Sequence, residues 1–160
     1  MASLPTHAFL AVGLVRAIKR DASPSLLARA AALSCAADLD VVGFLYHVPY
    51  GAPWGHRGAT HSALAAAVLA LAGGKHYALM LLAALSHPVL DMLTDGGRGI
   101  AFLWPYSAER YFLPWRPIPV SPIGADFFSA RGLHVISMEL LMVWAPTAAL
   151  LWLSVRRKGK

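Results

Sequence analysis

The sequence predicts an all-α bundle of four or five short helices embedded in a membrane, with one long aromatic and proline-rich loop at the interface. Three observations carry that prediction. Hydrophobic residues make up 58% of the chain and charged ones only 14%, with a mean hydropathy of +0.55, far from the balance of a soluble domain. Apolar runs of helical length alternate with Gly, Pro and charge, and strand signals are essentially absent. At 160 residues the chain suits a single domain over 1–160 that can enclose one polar centre but no large soluble core.

The first helix is expected from Pro5 to Arg20 and the second from Pro24 to Tyr46, each with a proline in the first turn, where its missing N–H is tolerated. Thr60 is a good N-cap for a third helix from Thr60 to Ala72. Gly73 and Gly74 then make a tight break before a fourth, Lys75 to Leu93, so the third and fourth read as an antiparallel hairpin. The stretch 95–131 is too rich in Pro and Gly for one helix and too aromatic for a solvated linker. Its Trp104, Tyr106, Tyr111, Phe112 and Trp115 are residue types that anchor at headgroup depth, and a loop of this length is often a lid or binding loop. A fifth helix is expected from Gly132 to Val155, kinked at Pro146 and followed by RRKGK as a cytoplasmic anchor. Only the second, fourth and fifth approach the roughly 20 residues that cross hydrocarbon. The first and third are expected to span obliquely or to stay within the bundle.

The net charge of +6 is spread in small groups beside apolar runs, not gathered in one stripe, so no nucleic-acid binding is expected and the bases act as topology signals. With the C-terminus cytoplasmic, alternate crossings place nine bases inside and five outside. The first bases follow the first apolar run, so a cleaved signal peptide is not expected. Cys35 is the single cysteine, which excludes an intrachain disulfide and a cysteine metal cluster.

Ionisable residues inside apolar segments are costly and call for a partner, a metal or a proton path. His87 and Asp91 stand four apart, on one face of a helix and within reach of one divalent ion. Asp38 and Asp40 stand two apart and cannot share a face, so one would ligate while the other orients a histidine or caps a terminus. His56 and His61 flank Thr60, His7 lies in the first helix and Glu139 in the fifth. His47 and His76 lack an acidic neighbour and are assigned no role. In the crossing scheme His7, Asp38, Asp40, His56, His61, His87, Asp91 and Glu139 all fall toward one end of the bundle, where ligands from separate helices would suit a one- or two-metal hydrolytic site.

The stretches THAFLAVGL from Thr6, ADLDVVGF from Ala37, HRGATHS from His56 and SHPVLDMLTDGG with LWPYS from Ser86 to Ser107 resemble, in this order, the YdjM-like family of bacterial inner-membrane proteins, predicted to be metal-dependent hydrolases. That family is remotely similar to the zinc-dependent phospholipase C and nuclease P1 group. The resemblance implies metal ligands at His7, at Asp38 or Asp40, at His56 or His61, and at His87 with Asp91. It implies zinc as the divalent ion, with manganese or iron as alternatives and one or two ions bound. The histidine and glutamate that complete the soluble enzymes' third metal position have no matching motif, and Ala37 stands where a proline usually precedes the first acidic residue.

The expected function is therefore an inner-membrane, multi-pass hydrolase acting on a phosphoester, in a phospholipid or another substrate, with its site toward the outer face. Asp91, Asp38 and Arg57 would be catalytic, the aspartates as ligands; Arg57 and Arg98 would hold phosphate oxygens. The absence of HExxH disfavours peptide hydrolysis, and Ser62 and Ser86 lack a nucleophile elbow. The alternative is a non-enzymatic transport or regulatory protein using the same Asp and His residues as an ion or proton site. Geometry separates the two: convergence on one point favours hydrolysis, whereas pairing along a channel favours transport.

Overall fold

The computed structural model describes residues 1–156 and is all-helical over them, without a β-strand. Six α-helices are present: α1 (Leu4–Ile18), α2 (Pro24–Cys35), α3 (Ala63–Ala70), α4 (Tyr77–Met92), α5 (Ala130–Glu139) and α6 (Ala145–Arg156). Tighter 3-10 turns occupy Ala36–Tyr46, Ala59–His61, Leu71–His76 and Gly124–Phe128. The last four residues of RRKGK, 157–160, lie outside the described residues, so the proposed anchor is represented by Arg156 alone, which stacks on Trp152 at 3.7 Å.

Two boundaries differ from expectation for physical reasons. The second helix stops being α-helical at Cys35 and continues as an eleven-residue 3-10 segment to Tyr46, an unusual length for that geometry. The third begins at Ala63, not Thr60, because Ser62 is the true cap and its hydroxyl accepts the N–H of Ala65 at 3.0 Å.

The expected hairpin is present. Gly74 takes φ 54° and ψ −123°, backbone open to glycine and closed to branched side chains, and α4 returns beside α3. His61 meets His87 at one end of this pair and Ala70 meets Met80 and Ala83 at the other. By length and composition Ala63–Met92 and Ala130–Arg156 are apolar enough to cross a membrane, although the first is bent back at Gly74 and is no straight rod. In the second, the ladder widens to a π segment at Leu140–Trp144 just before Pro146, which has no N–H for the carbonyl of Met142.

α1 packs against α2, α4 and α6. Its seam with α2, α3 and α4 is built from Ala11, Val15, Ala22, Leu26, Ala30, Ala70, Met80 and Ala83, the alanines small enough to let backbones approach closely. Leu133, Leu141, Leu153 and Val155 face outward along α5, the π segment and α6, as lipid-facing positions do. The long loop is tied across the end of the bundle. Ile100 and Tyr111 exchange two backbone bonds of 2.9 Å, and Ala63 and Ala101 donate to Phe102 and Arg57. Tyr106 and Trp115 project outward from it.

Candidate metal centre

α4 brings His87 and Asp91 to one face, both fully buried. The short turn Ala59–His61 adds His61 from beside them, and the 3-10 segment adds Asp38. One donor atom from each of these four lies within 4.8 Å of all the others. His61 Nε2 and His87 Nε2 are 3.1 Å apart, each is 3.4 Å from Asp38 Oδ1, and His61 Nε2 is 3.8 Å from Asp91 Oδ2. Around a tetrahedral ion bound at about 2.0–2.1 Å, neighbouring ligand atoms stand roughly 3.3–3.4 Å apart. The observed separations bracket that edge length.

Asp40 plays a different part from Asp38. Its Oδ2 faces His61 Nδ1 at 3.1 Å and accepts from the Thr60 hydroxyl at 2.6 Å and the Arg57 N–H at 3.1 Å, while its Oδ1 meets His56 Nδ1 at 2.7 Å. The two aspartates thus bracket one imidazole: Asp40 behind at Nδ1, Asp38 in front at Nε2. A carboxylate behind a histidine fixes its ring and tautomer and strengthens it as a ligand. Burial pulls the His61 pKa down, but its bonds to Asp38 and Asp40 outweigh that and lift it to about 9. Asp40, His56 and His61 also form a possible three-donor group, but that group shares His61 with the first.

His7 stands beside the four-donor set. Its ring stacks on His87 at 3.7 Å and its Nε2 lies 3.2 Å from Asp91 Oδ1. Arg57 departs from expectation. It is fully buried, has φ 64° and turns inward, donating to Asp91 Oδ2 at 3.1 Å, to the Gly96 carbonyl at 2.8 Å and to Thr94 Oγ1 at 2.8 Å. Three of its nitrogens are engaged in holding Asp91 and the turn after α4. Arg98 is exposed, next to Gly51, and is not drawn into the cluster.

Three features escaped sequence reasoning. Thr60 supports Asp40 instead of capping a helix, and Thr94 anchors Arg57. Glu139 accepts from the Ser3 N–H at 2.6 Å, the Ser3 hydroxyl at 2.5 Å and the Thr6 hydroxyl at 2.7 Å. It thereby caps from another helix the start of α1, where Ser3 makes no side-chain cap of its own, and so holds the helix that carries His7. The only sequence signal for it was a carboxylate inside an apolar run.

The residues fit a divalent ion. Asp38 Oδ2 and the Nδ1 atoms of His7 and His87 are buried without a partner, and His7 Nε2 and Asp38 Oδ1 face only other donors of the cluster, Asp91 at 3.2 Å and His61 and His87 at 3.4 Å, an expensive arrangement unless something else satisfies them. Two imidazoles and two carboxylates are the donor chemistry of zinc and of related first-row ions.

A family model described as YdjM inner membrane protein matches residues 1–160. The inner membrane protein YbcI of Escherichia coli (strain K12) is 38% identical over 136 residues, 77% of this chain and 79% of that protein. No solved structure matches the chain.

Proposed function

The chain belongs to the YdjM family of inner membrane proteins, and from that premise we propose that it is a membrane-bound metal-dependent hydrolase of phosphoesters. The observation that carries the reading is the convergence of Asp38, His61, His87 and Asp91 within 4.8 Å of one another, in place of a row of pairs along a channel. These four would hold one ion, zinc by donor chemistry, with manganese or iron as alternatives. A second ion is disfavoured because the other donor group competes for His61. A bound divalent ion would supply Lewis acidity and lower the pKa of a bound water, which requires a shell that admits water beside these four donors.

The chain's own residues supply position. Asp40 orients His61 and His56, Arg57 and His7 hold Asp91, and Glu139 fixes the start of α1. In the overall reaction water adds to phosphorus, the P–O ester bond breaks, and a proton leaves with the departing alcohol. Arg98, the exposed cation on the turn after α4, is the candidate contact for the phosphate. Arg57, already committed within the protein, takes the supporting place. We place the chain in the membrane with several crossings, its C-terminus cytoplasmic and the site toward the outer face, on the charge distribution.

The test is a screen of phosphomonoesters, phosphodiesters and phospholipids with zinc- or manganese-loaded protein, alongside Asp38→Asn and His87→Ala. Turnover by wild type that both substitutions abolish is expected. Metal-loaded wild type inert on every phosphoester class, or activity surviving both substitutions, would overturn the reading.

A further inference from the structure

A cavity of about 290 Å³ lies between the start of α1, the 3-10 segment after α2 and the stretch that leads into α5. Its apolar walls include Leu4, Pro5, Val41, Ile123, Phe127 and Phe128; Met1, Ser3, Asp38 and Ser121 also line it, the amino group of Met1 lying near Asp91 and Asp38. Ser3 is committed to Glu139 and Thr6, and Ser121 to the carbonyl of Pro122. Asp38 is 4% exposed, and its Oδ1 stands 3.4 Å from both His61 Nε2 and His87 Nε2. The cavity is thus apolar along most of its wall, and its inner end is formed in part by Asp38, a member of the four-donor centre.

A sugar phosphate or nucleotide would leave its hydroxyls or base without partners on such walls, at a large desolvation cost. A hydrocarbon chain matches them. Phe128 and Ile123 line the cavity and are themselves exposed, so an apolar lip continues from it to the protein surface. We infer that the cavity holds the hydrocarbon tail of the substrate, so that the phosphoester presented to Asp38, His61, His87 and Asp91 is that of an amphiphile drawn from the bilayer. The inference rests on the hydrolase reading and adds its substrate class.

The experiment uses the full chain, zinc-loaded, in phosphatidylcholine nanodiscs containing phosphatidic acid with a diazirine at the end of one acyl chain. After illumination, adducts are mapped by peptide mass spectrometry. Adducts on Val41 and Phe127 are expected. Val41→Trp should reduce adducts at Phe127 about tenfold, the loss that follows from displacing roughly two buried methylenes, with zinc content unchanged. Val41→Phe should give a smaller loss in the same direction and serves if the tryptophan variant does not fold. Adducts confined to outward residues such as Leu141 and Leu153, or Phe127 labelling that neither variant lowers, would overturn the tail site. The same samples separate the two readings: zinc bound without cavity adducts removes the tail site alone, whereas cavity adducts on a protein that binds no metal remove the hydrolase reading.

Discussion

Asp38 and Asp40 address the two nitrogens of His61, and their substitutions should differ accordingly. Asp38→Asn removes a donor, so metal should be lost. Asp40→Asn removes a supporting carboxylate, and affinity should fall about 10–100-fold with the stoichiometry recovered at saturation; competition with a chromogenic chelator measures both. Because His61 is held up to about 9 in the metal-free protein and a metal needs its Nε2 unprotonated, binding at pH 7 should release a proton. Affinity should then rise with pH toward 9, by up to about tenfold per unit, as read by calorimetry in buffers of different ionisation enthalpy. The sign for metal-free stability is opposite. A folded-state pKa raised above 6.5 stabilises fully below that value and is lost as pH rises through about 9. Arg57→Ala would leave Asp91 short of a buried charged partner, so a loss of about 3–5 kcal/mol is expected in thermal melts. Arg57→Lys should not restore it, since a single ammonium cannot reproduce the three-way fork. At this scale the sequence exposed the donor types but not their division of labour. His87 and Asp91 were legible from their helical spacing, whereas the choice between Asp38 and Asp40 depends on which nitrogen of His61 each one faces. The burial of Arg57 was not legible, because a loop arginine looks solvent-exposed until its left-handed backbone folds it inward.

At the scale of elements, local chemistry was readable where glycine or proline punctuates the chain and obscure where tertiary contacts decide. The hairpin at Gly74 and the irregularity before Pro146 belong to the first kind. The change from α to 3-10 geometry after Cys35 belongs to the second: Ala36 and Ala37 carry no break signal, and the contacts of Asp38 and Asp40 with His61 lie in the tighter segment. Thr60 and Ser62 are both good caps, and only the path of the chain selects Ser62. Gly74→Val forces a β-branched residue to φ 54° and should lower stability by about 1–3 kcal/mol. Since the turn lies at the opposite end of the α3–α4 pair from His61 and His87, metal content should be unaffected, which elemental analysis of the folded fraction would check.

For the whole molecule, composition and charge made the helical membrane architecture legible, while the number of crossings is not set by length alone, as the bend within Ala63–Met92 shows. Sidedness is open to single-cysteine labelling in a Cys35→Ser background. Cysteines at Ala108, exposed in the long loop, and at Gly159 should be reached from opposite faces of the membrane; equal accessibility would refute the crossing scheme. The central claim is that Asp38, His61, His87 and Asp91 form one metal centre, and metal content tests it most directly. Elemental analysis of purified protein after reconstitution with zinc or manganese should find one ion per chain in the wild type and none in His87→Ala or Asp91→Ala. A folded wild type that retains no stoichiometric divalent metal after reconstitution would contradict it.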